Sequence, residues 1–431
     1  MSLPPTPPRT RGTPSRRTVL AGMAGIALAR PGPMAASATA AGPNGVIILP
    51  TTLTLQSLTG SPQALPEARG ATLGFGADLP APVLRTRVGA AATLALENRI
   101  GEPVALGFGG LALPQGPLGV PGYGPELTAG GRLDVQVSPV FPGTYLLSPY
   151  NMNQLARGLA ATLVVEGPQD HEVEREHVLL IQDWRAGEDG PVRLTVNAET
   201  VPDLPVGPGE RVRLRLVNAT RGLFLPLKLE APSFIVGIDG RPAEPFQPAE
   251  GRLPLAPGGR LEVLVDINEN ANAAVPLAVE TAAAPLPLAR LVAREAARQG
   301  PPRPAPAALR LAADEPALRR ATRVEITVAE QPVGGADAAP LARLRRGATL
   351  AIGIRNPTQT PATLHLYGLA ARLLDALDDG WKPWWQDCVT LWPGSTTRLA
   401  LVADRGGRWP LVIRRAGDGA TLRLAWFETG R

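Results

Sequence analysis

A pattern that occurs three times constrains this chain more than any other feature. Gly89 leads through an alternating stretch to Asn98, Gly209 to Asn218 and Gly347 to Asn356, each across the same nine positions. In the middle copy Val212, Leu214 and Leu216 alternate with Arg211, Arg213 and Arg215. A period of two puts the aliphatics on one face of a strand and the guanidiniums on the other. About 40–50 residues further on, each copy is followed by a second signature. Gly130-Gly131, Gly258-Gly259 and Gly394-Ser395 are turns that feed another alternating strand. Three such units divide the chain into stretches of about 130 residues, a size that suits an antiparallel sandwich. The 47 glycines and 48 prolines favour many short strands over long helices. Cys388 is the one cysteine, so a disulfide framework and every CxxC motif are excluded.

The N-terminus reads as an export signal over residues 1–40. Arg16-Arg17 precede an apolar stretch from Val19 to Ala29, followed by small residues with A-x-A patterns. The paired arginines are those of a twin-arginine signal, and the apolar stretch is too short to span a bilayer. Five arginines and no acid lie before Ala41, which accounts for the whole net charge of +5. The remaining body is neutral, without compositional support for binding nucleic acid. No later segment is apolar enough for a membrane span, so a periplasmic location is expected. The units that follow are 41–168, 169–299 and 321–431, with residues 300–320 as a Pro-rich, extended linker between the last two.

On these signatures the chain resembles the multicopper oxidases. The most specific stretch runs from Thr195-Val196-Asn197 through the Arg211–Asn218 repeat to Asp239-Gly240 and on to Pro257-Gly258. The resemblance implies an all-β fold of three tandem cupredoxin-like Greek-key β-sandwich domains. It also implies four copper motifs, holding ten histidines and one cysteine. At the first motif this chain has Gly107 and Gly109 in the ligand positions. At the second, Gly143-Thr144-Tyr145 is intact, but Ser148 and Tyr150 stand for ligands. The third has Ala362, His365 and Tyr367, and the fourth Val412, Ile413 and Arg414. Copper of this kind needs imidazole and thiolate donors, which Gly, Val and Ile cannot supply, while a guanidinium repels the metal. The expectation is therefore no cofactor and no metal, with no catalytic residue assigned.

Other candidates are few. His365 lies mid-strand among aliphatics. His171 and His177 flank a charged run, 170–177, that reads as a solvated linker. Cys388 stands where a small core side chain is expected. There is no G-x-S-x-G and no HExxH, and the glycines at 107–110 precede no helix signal. Trp381, Trp384 and Trp385 crowd a proline-broken loop, and exposed indoles on rigid loops anchor interfaces. These three are the expected partner-binding residues. The combination of signal, three domains and missing ligands is similar to the exported, copper-ligand-less cell-division branch of the family. It implies a periplasmic binding or scaffold protein, acting on a protein partner in cell division or envelope maintenance. The alternative is an oxidoreductase or small-molecule ligand binder that uses the former copper pocket between domains 1 and 3.

Overall fold

The computed structural model describes residues 46–58, 62, 72–76, 79–168, 170–185, 190–269, 274–301, 303–309, 315–374 and 381–430. The expected export signal lies outside the described residues. The described strands form six sheets, two for each repeat copy. Each pair of sheets shares its own apolar core, centred on Leu84, Leu94 and Leu163, on Val212, Leu227 and Val263, and on Leu350, Leu364 and Phe427. This is the all-β architecture expected from the repeats.

The two signatures are partners in space. Ala92–Asn98 pairs antiparallel with Arg132–Val137, Arg211–Asn218 with Arg260–Asp266, and Ala348–Arg355 with Thr396–Ala403. The glycine of each second signature sits at positive φ, at +69°, +78° and +70° for Gly130, Gly258 and Gly394. That conformation aims its N–H at the repeat asparagine, whose carbonyl accepts at 3.0, 2.9 and 2.7 Å. The asparagine side chain closes the same corner. Its Nδ2 donates to the carbonyls of Leu127, Leu255 and Leu391, and its Oδ1 accepts from the N–H of Ile100, Thr220 and Thr358. All three asparagines are buried. Asn356→Ala should therefore cost about 2 kcal/mol, because it strands the buried Leu391 carbonyl and the Thr358 N–H, and urea unfolding would measure it.

Alternation in the middle copy holds, but its consequence differs from expectation. Val212, Leu214 and Leu216 do fill the core, yet Arg211, Arg213 and Arg215 are also buried, at 5%, 2% and 1% exposure. The reason is the run 170–177, which is not a solvated linker. Arg175–Trp184 pairs parallel with Arg211–Asn218 and carries its acids along the arginine face. Asp170 receives both amino groups of Arg213 at 2.6 Å, and Glu176 receives Arg215 Nε at 2.7 Å. Burial alone would raise these two carboxyls, but the guanidiniums outweigh it and hold both below their ordinary values. Across the domain 1 boundary, Glu176 also accepts from Arg85 at 2.5 Å, and Arg215 donates to Thr144 Oγ1 at 2.9 Å. His177 Nε2 lies 3.0 Å from the Pro205 carbonyl. The Pro-rich segment is tied down by the same charges, with Arg211 donating to the Pro304 carbonyl and Arg303 to Glu172 and Glu174.

Candidate functional site at the three-domain junction

The ten positions that resemble copper ligands fall on neighbouring strands where domains 1 and 3 meet. Gly107 pairs with Ser148. Gly109 bridges to Tyr367 across the domain boundary. His365 pairs with Val412, Leu364 with Ile413 and Thr363 with Arg414. Not all of them face one space. Ala362, Val412 and Ile413 are fully buried, and Ala362 and Ile413 belong to the domain 3 core. Gly107 leaves no hole, because a Cβ there would lie 2.3 Å from the Leu118 carbonyl oxygen. The backbone at Leu118 has closed on the strand, so the vacated space expected at this glycine does not exist.

Arg414 occupies much of what remains. It is 5% exposed, and its guanidinium donates to the carbonyls of Gly419 and Tyr150 at 3.1 and 3.0 Å. It lies over the Tyr150 ring, 4.4 Å from the centroid. A cavity of about 50 Å³ is left between Ser148, His365, Tyr367, Cys388 and Arg414. That is room for a few waters. His365 Nδ1 sits 3.5 Å from Cys388 Sγ, and Nε2 is buried without a hydrogen bond. Burial, with the charges of Arg414 and Arg260, pushes the imidazole down to about 3, so it is neutral. Burial and the Asp387 charge push the Cys388 thiol well up, so it stays protonated. One neutral imidazole, one protonated thiol and a guanidinium do not fit a copper centre.

A second cluster lies against the first and was missed from sequence. Arg260 of domain 2 is 1% exposed and reaches all three domains. Its guanidinium holds the Asp387 carboxylate of domain 3 at 2.8 and 2.5 Å. It also donates to the carbonyls of Gly109 and Thr144 in domain 1, at 3.2 and 3.3 Å. Asp239 completes the joint by accepting from the backbone N–H of Arg260, Asp387 and Cys388, at 2.9, 3.0 and 3.0 Å. Burial, and then the neighbouring Asp387 charge, raise Asp239 to about 6. Gly110 adopts φ +66°, and a Cβ there would lie 1.7 Å from Asp387 Oδ2. Asp239, Asp387 and Cys388 place potential metal donors within 4.8 Å of one another, but Arg260 already fills that position as the cation. No sequence signal separates Arg260 from Arg132, which follows the same turn in domain 1 and has a side chain 53% exposed.

The loop expected around the tryptophans is a strand, Trp381–Gln386. Trp384 stacks on Phe246 of domain 2, with centroids 5.2 Å apart, and Trp385 is 8% exposed between Arg241 and Arg372. Pro383 does not break the strand, because edge strands tolerate proline. Among the described side chains the exposed indole is Trp392, at 48%.

The multicopper oxidase family model matches residues 310–411. Multicopper oxidase MmcO of Mycobacterium tuberculosis is 27% identical over 217 residues, which are 48% of this chain and 40% of that protein. Cell division protein FtsP of Sodalis glossinidius is 30% identical over 243 residues, 48% of this chain and 49% of that protein. The chain thus matches less than half the length of each of these curated relatives. The solved structure of Lac15 from a marine microbial metagenome superposes with a TM-score of 0.76 at 28% identity, covering 88% of this chain and all of that one. The fold that the resemblance implied, tandem cupredoxin-like sandwiches, is that of this solved neighbour.

Proposed function

We propose that this chain, a three-domain relative of the multicopper oxidases, is exported to the periplasm and works as a copper-independent binding protein in cell division or envelope maintenance. The observation that carries the reading is Arg414. It stands where the resemblance puts a copper ligand, it is buried, and its guanidinium is hydrogen-bonded across domains 1 and 3. A cation built into that position opposes a second cation, and it substitutes a structural bond for the metal. The relatives named FtsP support the cell-division setting. Among the described residues no helix is long and apolar enough to cross a membrane. The test has two readouts. The mature protein, loaded with copper and desalted, is expected to retain no stoichiometric metal and to show no thiolate-to-copper absorption band. A fluorescent fusion that is competent for export is expected to concentrate at the division site. Tightly held copper would overturn the copper-independent part, and an even distribution around the envelope would overturn the cell-division part.

A further inference from the structure

On the opposite side of the Arg260 joint lies a cavity of about 430 Å³, into which none of the ten former ligand positions opens. Its size is that of a small-molecule site. Domain 1 contributes Leu111, Val140 and Phe141, domain 2 contributes Arg241, and domain 3 contributes Leu369, Trp385 and Arg405. The wall combines apolar and aromatic side chains with about as much polar surface, and Val140 stands at 53% exposure.

Its polar side is unusual. Arg241 is half-buried and lies over two rings, with its guanidinium carbon 4.2 Å from the Phe141 centroid and 5.2 Å from the Trp385 centroid. Neither Arg241 nor Arg405 has a side-chain hydrogen bond or ion pair to a described residue. The other charged group lining the cavity is Asp404, which is exposed and bonded to neither arginine. Four buried arginines, Arg211, Arg213, Arg215 and Arg260, each hold a carboxylate, and buried Arg414 is held by two backbone carbonyls. Rings cover the faces of a guanidinium and leave its in-plane N–H edges, which are the groups that bind a carboxylate in pairs. A stacked guanidinium with no carboxylate bonded to it among the described residues, beside a partly apolar wall, matches one ligand chemistry: an anionic head on an apolar body.

We propose that this three-domain cavity binds an apolar monocarboxylate, its carboxylate on Arg241 and its hydrocarbon against Leu111, Leu369 and Trp385. The site does not depend on the copper-independent reading above, and its failure would leave that reading untouched. Calorimetric titration of the mature protein with octanoate, and with octanol as the uncharged match, tests it at constant ionic strength. Octanoate should bind saturably, quench tryptophan fluorescence and bind about 10- to 100-fold more tightly than octanol. Arg241→Gln should remove that preference and leave octanol binding unchanged. Val140→Glu, which puts a carboxylate on the exposed rim of the cavity, should weaken octanoate by a larger factor than octanol, and it decides the matter if Arg241→Gln does not fold. Absence of saturable octanoate binding, equal affinity for octanol, or an octanoate preference that survives both substitutions would overturn the proposal.

Discussion

Arg260→Met is expected to cost about 3–5 kcal/mol and to loosen all three domains at once. The methionine keeps much of the volume but strands the Asp387 carboxylate, 1% exposed, beside Asp239, 4% exposed. Two buried carboxylates without a cation cannot both ionise cheaply, so in the variant they take up protons well above the ordinary carboxylate range. The sign of the pH dependence follows. A carboxyl whose folded value is raised binds protons more readily folded than unfolded. Its destabilising effect is fully present above the folded value and fades as pH falls towards the ordinary one. The deficit should therefore be larger at pH 8 than at pH 5. In the parent protein Asp239 already titrates at about 6, in the same direction, with Arg260 in place. Arg260→Met/Asp387→Leu should recover much of the loss, because Asp239 keeps its three backbone N–H donors. Urea unfolding of the single and double variants at both pH values reads the cycle. A single variant as stable as the parent at pH 8 would show that the joint does not bind the domains together.

Trp385→Ala is expected to cost about 3–5 kcal/mol, the usual loss for a buried aromatic. The indole lies between the guanidiniums of Arg241 and Arg372, 5.2 and 5.1 Å from their carbons, so the alanine removes two cation–π contacts along with the packing. Trp384→Ala adds to it through the lost stack on Phe246, where domain 3 leans on domain 2. Trp385→Phe keeps a ring between the two charges and should lose less than half as much. Circular dichroism melting gives the stability, and limited proteolysis shows whether the domain 2–3 contact has opened. Melting unchanged from the parent in the double alanine variant would return these indoles to the surface role that their spacing suggested.

The amino-acid sequence by itself determined the units and their corners. Gly89, Gly209 and Gly347, with their asparagines nine positions on, are local devices, and a strand that alternates and ends in a buried asparagine is specified by the residues within it. Which residues stand at the copper-ligand positions of the family that the chain resembles was equally legible, since that needs only residue identity at a motif. Burial between domains was not legible. Arg132 and Arg260 follow the same kind of turn, yet one faces water and the other is the pivot of the molecule. The acids at 170–176 read as a solvated run because their partners lie about 40 residues away, on the third strand after Arg175–Trp184 in the chain. Trp384 and Trp385 read as a loop because local rules see Pro383, whereas Phe246 and Arg241 supply the surface that holds the strand. Local pattern fixes which residues share a strand face, through backbone geometry that repeats every two residues. What that face meets is a property of the packed domains, and only the tertiary structure decided it, because the cost of a buried charge depends on a partner that the neighbouring sequence does not contain.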